Sequence, residues 1–209
     1  DSSVVASLCK EAVGRDRFLA LILPCHSEEN DLKDAKLVAK TLRVNTRTID
    51  LSGLYDNLIK ILPKARKIVL GNLKSRLRML ILYYFANKLN YLVCGTANKS
   101  ERMVGYFTKY GDGAADILPL ADLLKKQVRE LAKELGIPQR IIDKSPTAGL
   151  WPHQTDEGEM GIIYPELDNI LECREKKRKQ VLPTDKVNKV EEMIRRSEHK
   201  RQGPKICYI

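Results

Sequence analysis

The chain has 209 residues, 43% hydrophobic and 31% charged, a balance that suits one compact domain with a buried core and excludes collagen-like or wholly disordered chains. Its longest apolar run, Met79 to Ala86, falls well short of the roughly 20 residues a membrane helix needs. Thirty-seven Lys and Arg against 27 Asp and Glu give +10, a bias toward anionic partners that charge alone leaves open between nucleic acid, an acidic membrane and a phosphate-rich small molecule.

In chain order, DSSVVASLCKEAV lacks the basic-then-apolar order of a signal peptide and reads as a helix face beginning abruptly at Asp1, with further chain expected upstream. FLALILP (18–24) is a continuous apolar run bounded by turn residues, the pattern of a strand buried on both faces of a parallel sheet. From Asp31 to Leu42 the stripe Leu32, Ala35, Val38, Ala39, Leu42 predicts an amphipathic helix, and the strand-like TRTIDL (46–51) follows. A long helix is predicted over 72–89, then a short buried strand at YLVCGT (91–96). After ADILPL (115–120), a helix over 122–135 stops at Gly136 and Pro138, and the stretch to Gly161 reads as loop. Residues 172–205 hold 12 Lys and Arg against 6 Asp and Glu, more than half of the excess charge. The alternation of helix and strand predicts a doubly wound, Rossmann-like parallel α/β sheet with helices on both faces and ligands beyond the carboxyl ends of the strands.

Cys9, Cys25, Cys94, Cys173 and Cys207 form no CxxC pair and no ligand spacing with the three histidines, and their odd number argues against a complete disulfide framework. A reducing cytoplasm fits that usage. Cys25-His26 follows a predicted strand, but no activating partner is evident, so Cys25 reads as packing. Asp1-Ser2-Ser3 reads either as an ordinary helix cap or as a carboxylate and hydroxyls poised at an anion-favouring helix start. GTANKSE (95–101) leaves a hydroxyl, an amide, a base and a carboxylate together at a strand end; Asn98 and Glu101 also have the spacing of a capping box. In FTKYGDGAAD, Gly111 and Gly113 allow tight backbone paths among Lys109, Asp112 and Asp116, a weak signal by itself.

In combination these blocks are specific. DS at the start, GNLKSRLRM (71–79), GTANKSERMVGYFTKYGDGAADILPL (95–120) and SPTAGLWPHQTDEGEMGIIYPELD (145–168) resemble the ammonia-dependent NAD synthetases, over nearly the whole chain from Asp1 to the His199-Lys200 pair. The resemblance implies an adenine nucleotide alpha-hydrolase-like fold and one NAD synthetase domain spanning 1–209. Such enzymes resemble other ATP pyrophosphatases in an SGGxDS loop, of which Asp1 and Ser2 are present here; the first strand and the Ser-Gly-Gly part are expected before residue 1.

The implied reaction is ATP-dependent amidation of deamido-NAD by ammonia through an adenylated intermediate, giving NAD, AMP and pyrophosphate. Carried over by position, Asp1 and Glu101 hold Mg2+, hard oxygen donors for a hard ion. Asp1, Ser2, Thr96, Lys125 and Thr147 match ATP-contacting positions, with Asp1, Glu101 and Lys125 the catalytic set. Without the resemblance, Lys125 in DLLKKQVREL reads as a solvated helix face. Arg76, Lys109, Asp116, His199 and Lys200 match positions that contact deamido-NAD, and forked guanidinium and point-charge ammonium groups suit phosphate or carboxylate. Tyr83 lies on the face of Arg76 and reads as core or as a platform for the pyridine ring; His26 falls near the adenine end at most, and Trp151 in a loop able to close over substrates.

The resemblance further implies a homodimer in which the helices around 72–89 pair, with the dinucleotide site near the interface. With no segment of glutaminase size, ammonia is the expected nitrogen donor, and neither a membrane nor nucleic acid is an expected partner. Two other readings are another ATP pyrophosphatase, tRNA-modifying or GMP-forming, which the KSE…FTKYGDG block opposes, and a non-catalytic nucleotide- or nucleic-acid-binding module, which ATP turnover by the complete gene product would exclude.

Overall fold

A computed structural model of the chain describes residues 1–207. Helix α1 (Ser2–Val13) leads through a 3-10 turn to β1 (Ala20–Ile22). α2 (Glu29–Leu42) then crosses to β2 (Thr46–Thr48), which lies parallel to β1 with Ala20 opposite Thr46 and Ile22 opposite Thr48. α3 (Ser52–Ile61) and the long α4 (Lys67–Leu89) follow, α4 ending on Asn90 at φ 54°, a left-handed conformation that asparagine tolerates better than most residues. Cys94 and Ile117 form a further parallel bridge. The remaining helices are α5 (Lys99–Val104), α6 (Lys125–Glu134), α7 (Gln139–Ile142), α8 (Asp156–Met160), α9 (Tyr164–Glu175) and α10 (Thr184–Arg196). Parallel strands alternating with helices make this the Rossmann-like α/β architecture that the apolar runs predict.

Several boundaries differ from the sequence expectation. FLALILP contributes only three strand residues, all half-buried rather than covered on both faces, and β2 is shorter still in burial, with all three residues exposed. YLVCGT and ADILPL each supply one bridge residue instead of a strand. There the Asp116 carboxylate takes the Val93 N–H at 2.7 Å, so a side chain occupies a donor that a ladder would use. α2 and α4 begin two and five residues earlier than periodicity suggests, whereas α6 begins at Lys125 rather than Asp122. The stretch before Gly161 is not all loop, since α7 and α8 lie within it, α8 capped by Thr155 accepting from the Gly158 N–H at 3.2 Å.

Three apolar clusters hold the layers together. Val4 and Val5 of α1 pack with Leu42, Leu120 and Val128. Tyr164, Leu167 and Ile170 of α9 pack with Val104, Val190 and Ile194, and Cys25, Leu51, Tyr55 and Leu77 close the third. α4 carries apolar residues on its outer as well as its inner face: Leu77 is buried while Leu80 and Tyr84 are 56% and 58% exposed. Among the described residues no helix is long and apolar enough to cross a membrane.

Candidate active site

The carboxyl ends of the strands gather the chemistry. After β1 the chain turns at Cys25-His26-Ser27, with His26 at φ 52° and its Nε2 2.7 Å from Asp56. Cys25 is fully buried among Leu51, Tyr55 and Leu77, and burial pushes its thiol up, so packing rather than nucleophilic attack is its role. After Cys94, the chain runs through Gly95 and Thr96 into α5. Both halves of the Asn98–Glu101 capping box form: the Glu101 N–H donates to Asn98 Oδ1 at 2.9 Å, and the Asn98 N–H to Glu101 Oε2 at 3.2 Å.

Capping uses one oxygen of Glu101 and aims the other inward. Glu101 Oε1 lies 3.5 Å from Lys125 Nζ and accepts from the Tyr164 hydroxyl at 3.1 Å. Lys125 Nζ also sits 2.8 Å from both carboxylate oxygens of Asp1. Asp1 occupies the N-cap position of α1 but makes no capping hydrogen bond; its Oδ2 instead accepts from Asn98 Nδ2 at 3.0 Å. The ordinary-cap reading of Asp1 is thereby corrected, because a buried ammonium competes more strongly for the carboxylate than backbone N–H groups that water can satisfy. The solvated-face reading of Lys125 fails too, since only 7% of that residue is exposed.

The ammonium position is fixed from several elements. The Lys125 N–H donates to Ser100 Oγ at 3.0 Å and the Lys126 N–H to Asp168 Oδ2 at 2.8 Å, while Ser100 Oγ donates to Asp168. Residues of α5 and α9 thus satisfy the first turn of α6. Tyr164 presents its ring to Lys125 Nζ at 5.0 Å from the centroid, and its single hydroxyl proton is shared between Glu101 Oε1 and Asp156 Oδ2, the latter 2.9 Å away. Asp1 and Glu101 therefore converge on one ammonium; among the described residues no group of three or more His, Cys, Asp or Glu could hold a metal ion, so these two carboxylates are the hard-oxygen donors available there for a hard cation.

Burial raises the carboxyls of Glu101 and Asp156, with Lys125 opposing the shift in both. Asp156 is 4% exposed and its Oδ1 has no hydrogen-bond partner. A carboxyl raised in the folded protein costs stability where it is ionised, and that cost fades as pH falls and the folded form takes up its proton. Asp156→Asn, which keeps an acceptor for Tyr164, is therefore expected to stabilise the fold by on the order of 1 kcal/mol at neutral pH. The gain should vanish toward about pH 4. Urea unfolding across pH checks this, and an undiminished gain in acid would assign the effect to packing.

A second cluster lies beyond α5. Arg76 is exposed on α4, and its guanidinium donates to the Lys109 carbonyl at 3.2 Å. Lys109 Nζ donates to the His199 carbonyl and, at 3.0 Å, to that of Gln202. Tyr83 donates to Asp116 Oδ1 at 3.2 Å, placing it beside a residue of the expected dinucleotide set rather than in the core. Lys200 is directed inward, donating to the carbonyls of Gly105 and Phe107 at 2.8 and 2.9 Å, while the His199 residue is exposed. Lys200 thus braces the turn after α5.

Ser2, Thr96 and Thr147 make no side-chain hydrogen bond to Asp1, Glu101 or Lys125. Ser2 is exposed, Thr96 is half-buried, and Thr147 is exposed with its Oγ1 accepting from the Gly149 N–H at 3.1 Å. The segment carrying Thr147 is fastened at several points. Lys144 pairs with Asp31 and Asp34 at 2.6 and 2.7 Å, and Lys74 Nζ donates to the Leu150 carbonyl at 2.9 Å. Trp151 lies over Gly71, where a Cβ would meet its ring at 2.7 Å. Sequence reasoning did not single out Tyr164, Asp156, Asp168 or Lys74. Tyr164 is 63 residues from Glu101, and no local spacing relates the two.

A parallel α/β fold with a buried lysine–carboxylate centre at its strand ends, flanked by exposed cations, defines a Rossmann-like, nucleotide-handling enzyme scaffold. More particularly, the chain belongs to the NAD synthase family, whose model matches residues 1–204. It is 47% identical to the NH3-dependent NAD+ synthetase of Archaeoglobus fulgidus, an alignment covering 100% of this chain and 85% of that one. Among solved structures, it is similar to an NMN synthetase from Francisella tularensis, with TM-score 0.91 and 38% identity over 100% of this chain and 85% of that chain. It is also similar to an NH3-dependent NAD synthetase from Campylobacter jejuni, with TM-score 0.85 and 28% identity over 99% and 84%.

Proposed function

We propose that the protein amidates deamido-NAD with ammonia, using ATP to activate the pyridine carboxylate as an acyl adenylate and releasing NAD, AMP and pyrophosphate. The observation that carries this reading is the Asp1–Lys125–Glu101 centre at the strand ends of a chain 47% identical to an ammonia-dependent synthetase. A free carboxylate is a poor acyl donor, so the work lies in aligning two polyanions and stabilising charge as it develops. Lys125 Nζ, held between two carboxylates, is placed to exchange those contacts for phosphate oxygens, leaving Asp1 and Glu101 to hold Mg2+. Bound there, magnesium would neutralise charge on the departing pyrophosphate.

Ser2, Thr96 and Thr147 are assigned to ATP, and Arg76, Lys109, Asp116, His199 and Lys200 to the dinucleotide. For Lys109 and Lys200 this requires either release from the carbonyls they now engage or a role in shaping the turn. The exposed face of α4, where Arg76, Leu80 and Tyr84 recur at four-residue spacing, supports a homodimer with the dinucleotide site at its edge. A cytoplasmic location fits five free thiols.

The test is a coupled assay following NAD and AMP. Equal yields that depend on ATP, magnesium, deamido-NAD and ammonium together establish the reaction; AMP without NAD, or no turnover, overturns it. Because one solved relative is an NMN synthetase, nicotinic acid mononucleotide belongs in the assay as a competing acceptor, and a preference for it would shift the assignment. Arg76→Ala is expected to raise KM for deamido-NAD by about tenfold or more while leaving KM for ATP within about twofold. Equal losses for both substrates would remove Arg76 from the dinucleotide set.

A further inference from the structure

Two thiols outside the charged centre stand in contact. Cys9 of α1 and Cys94 at the bridge before Gly95 place their Sγ atoms 3.3 Å apart, both half-buried against the cluster formed by Val4, Val5, Leu120 and Val128. They lie 85 residues apart in sequence, so the fold alone brings them together. Neither belongs to the proposed catalytic, nucleotide or magnesium set. We propose that Cys9 and Cys94 are a modification site, closing to a reversible disulfide when the protein meets hydrogen peroxide.

The chemistry balances with that one co-reactant. A sulfur of the pair attacks the peroxide oxygen, breaking the O–O bond to give a sulfenic acid and water. The second sulfur then displaces the sulfenic oxygen as a second water, forming the S–S bond. Two thiol hydrogens leave, and two electrons pass to the peroxide. Closing from 3.3 Å to a covalent bond of about 2.05 Å asks for a shift of little more than one ångström between α1 and the 93–95 segment. Burial, followed by the neighbouring Cys94 thiol, pushes the Cys9 thiol up to about 12. Cys9 therefore holds little thiolate at neutral pH, and the test uses sustained exposure. The other thiols offer no comparable pairing: Cys25 and Cys173 are buried singly, and Cys207 is exposed.

The test uses the full chain carrying Cys207→Ser, which prevents coupling between molecules, held overnight in hydrogen peroxide and digested without reductant. The expected result is a Cys9–Cys94 linked peptide about 2 Da lighter than the sum of its two reduced peptides, and reversal by dithiothreitol. A cross-link spanning so long a loop should also raise the thermal midpoint by about 5 °C or more. Cys9→Ser and Cys94→Ser should each abolish the linked peptide and the rise. No linked peptide after methionine sulfoxide shows that the oxidant acted, or a bridged protein with a lowered midpoint, overturns the proposal. None of these readouts requires turnover, so the outcome is independent of the assigned reaction.

Discussion

Lys125→Met is expected to abolish measurable NAD formation, with turnover falling at least about a thousandfold if this ammonium both holds the carboxylates and meets phosphate in the transition state. It should also lower stability by about 3 to 5 kcal/mol, because removing one partner of a buried ion pair leaves its counter-charges unpaired. The counter-charges are the carboxylates of Asp1 and Glu101, whose side chains are 15% and 12% exposed. Such a loss is a large part of an ordinary domain's stability, so turnover is measured below the variant's own unfolding midpoint. Lys126→Met is the matched control: that neighbour pairs at the surface with Glu172, and exposed pairs contribute about 1 kcal/mol or less. Comparable activity losses for the two variants would sink the assignment of Lys125.

Glu101→Gln separates two roles that coincide in one side chain. A glutamine amide oxygen can still accept from the Asn98 N–H, so the capping box survives and α5 should form. Stability should fall modestly, because the amide that keeps the cap turns its NH2 toward the Lys125 ammonium, a loss only partly offset by removing a charge that burial disfavours. Turnover is expected to fall about a hundredfold, with a higher magnesium concentration needed for half-maximal rate, because an amide is a poorer ligand for a hard dication. A variant with wild-type turnover at limiting magnesium would leave Glu101 a cap alone.

The residues that act locally were the legible ones. Asn98 and Glu101 announce their capping box by spacing, and the helical stripe of 31–42 announces α2. Lys125 carried a signal that adjacency to Lys126 obscured: it falls three residues before Val128 and seven before Ala132, both buried, and so on the inward face of α6. Asp1 looked like a cap because a carboxylate before a helix usually is one; the ammonium that claims it lies 124 residues away. Tyr164 and Asp156 were invisible for the same reason, their partners being set by how α8 and α9 pack on α5. The apolar runs at 91–96 and 115–120 overstated strand because hydrophobicity reports burial, while ladder formation depends on which backbone donors are free. One such donor, the Val93 N–H, goes to Asp116.

Gln127 caps its own turn by accepting from the Leu124 N–H at 2.8 Å, but the first two amides of α6 are satisfied by Ser100 of α5 and Asp168 of α9. A helix start of this kind cannot fray on its own: the amides of Lys125 and Lys126 lose their acceptors only when helices distant in sequence move away. Opening that frees these two amides is therefore coupled to sub-global opening of the α5–α6–α9 unit.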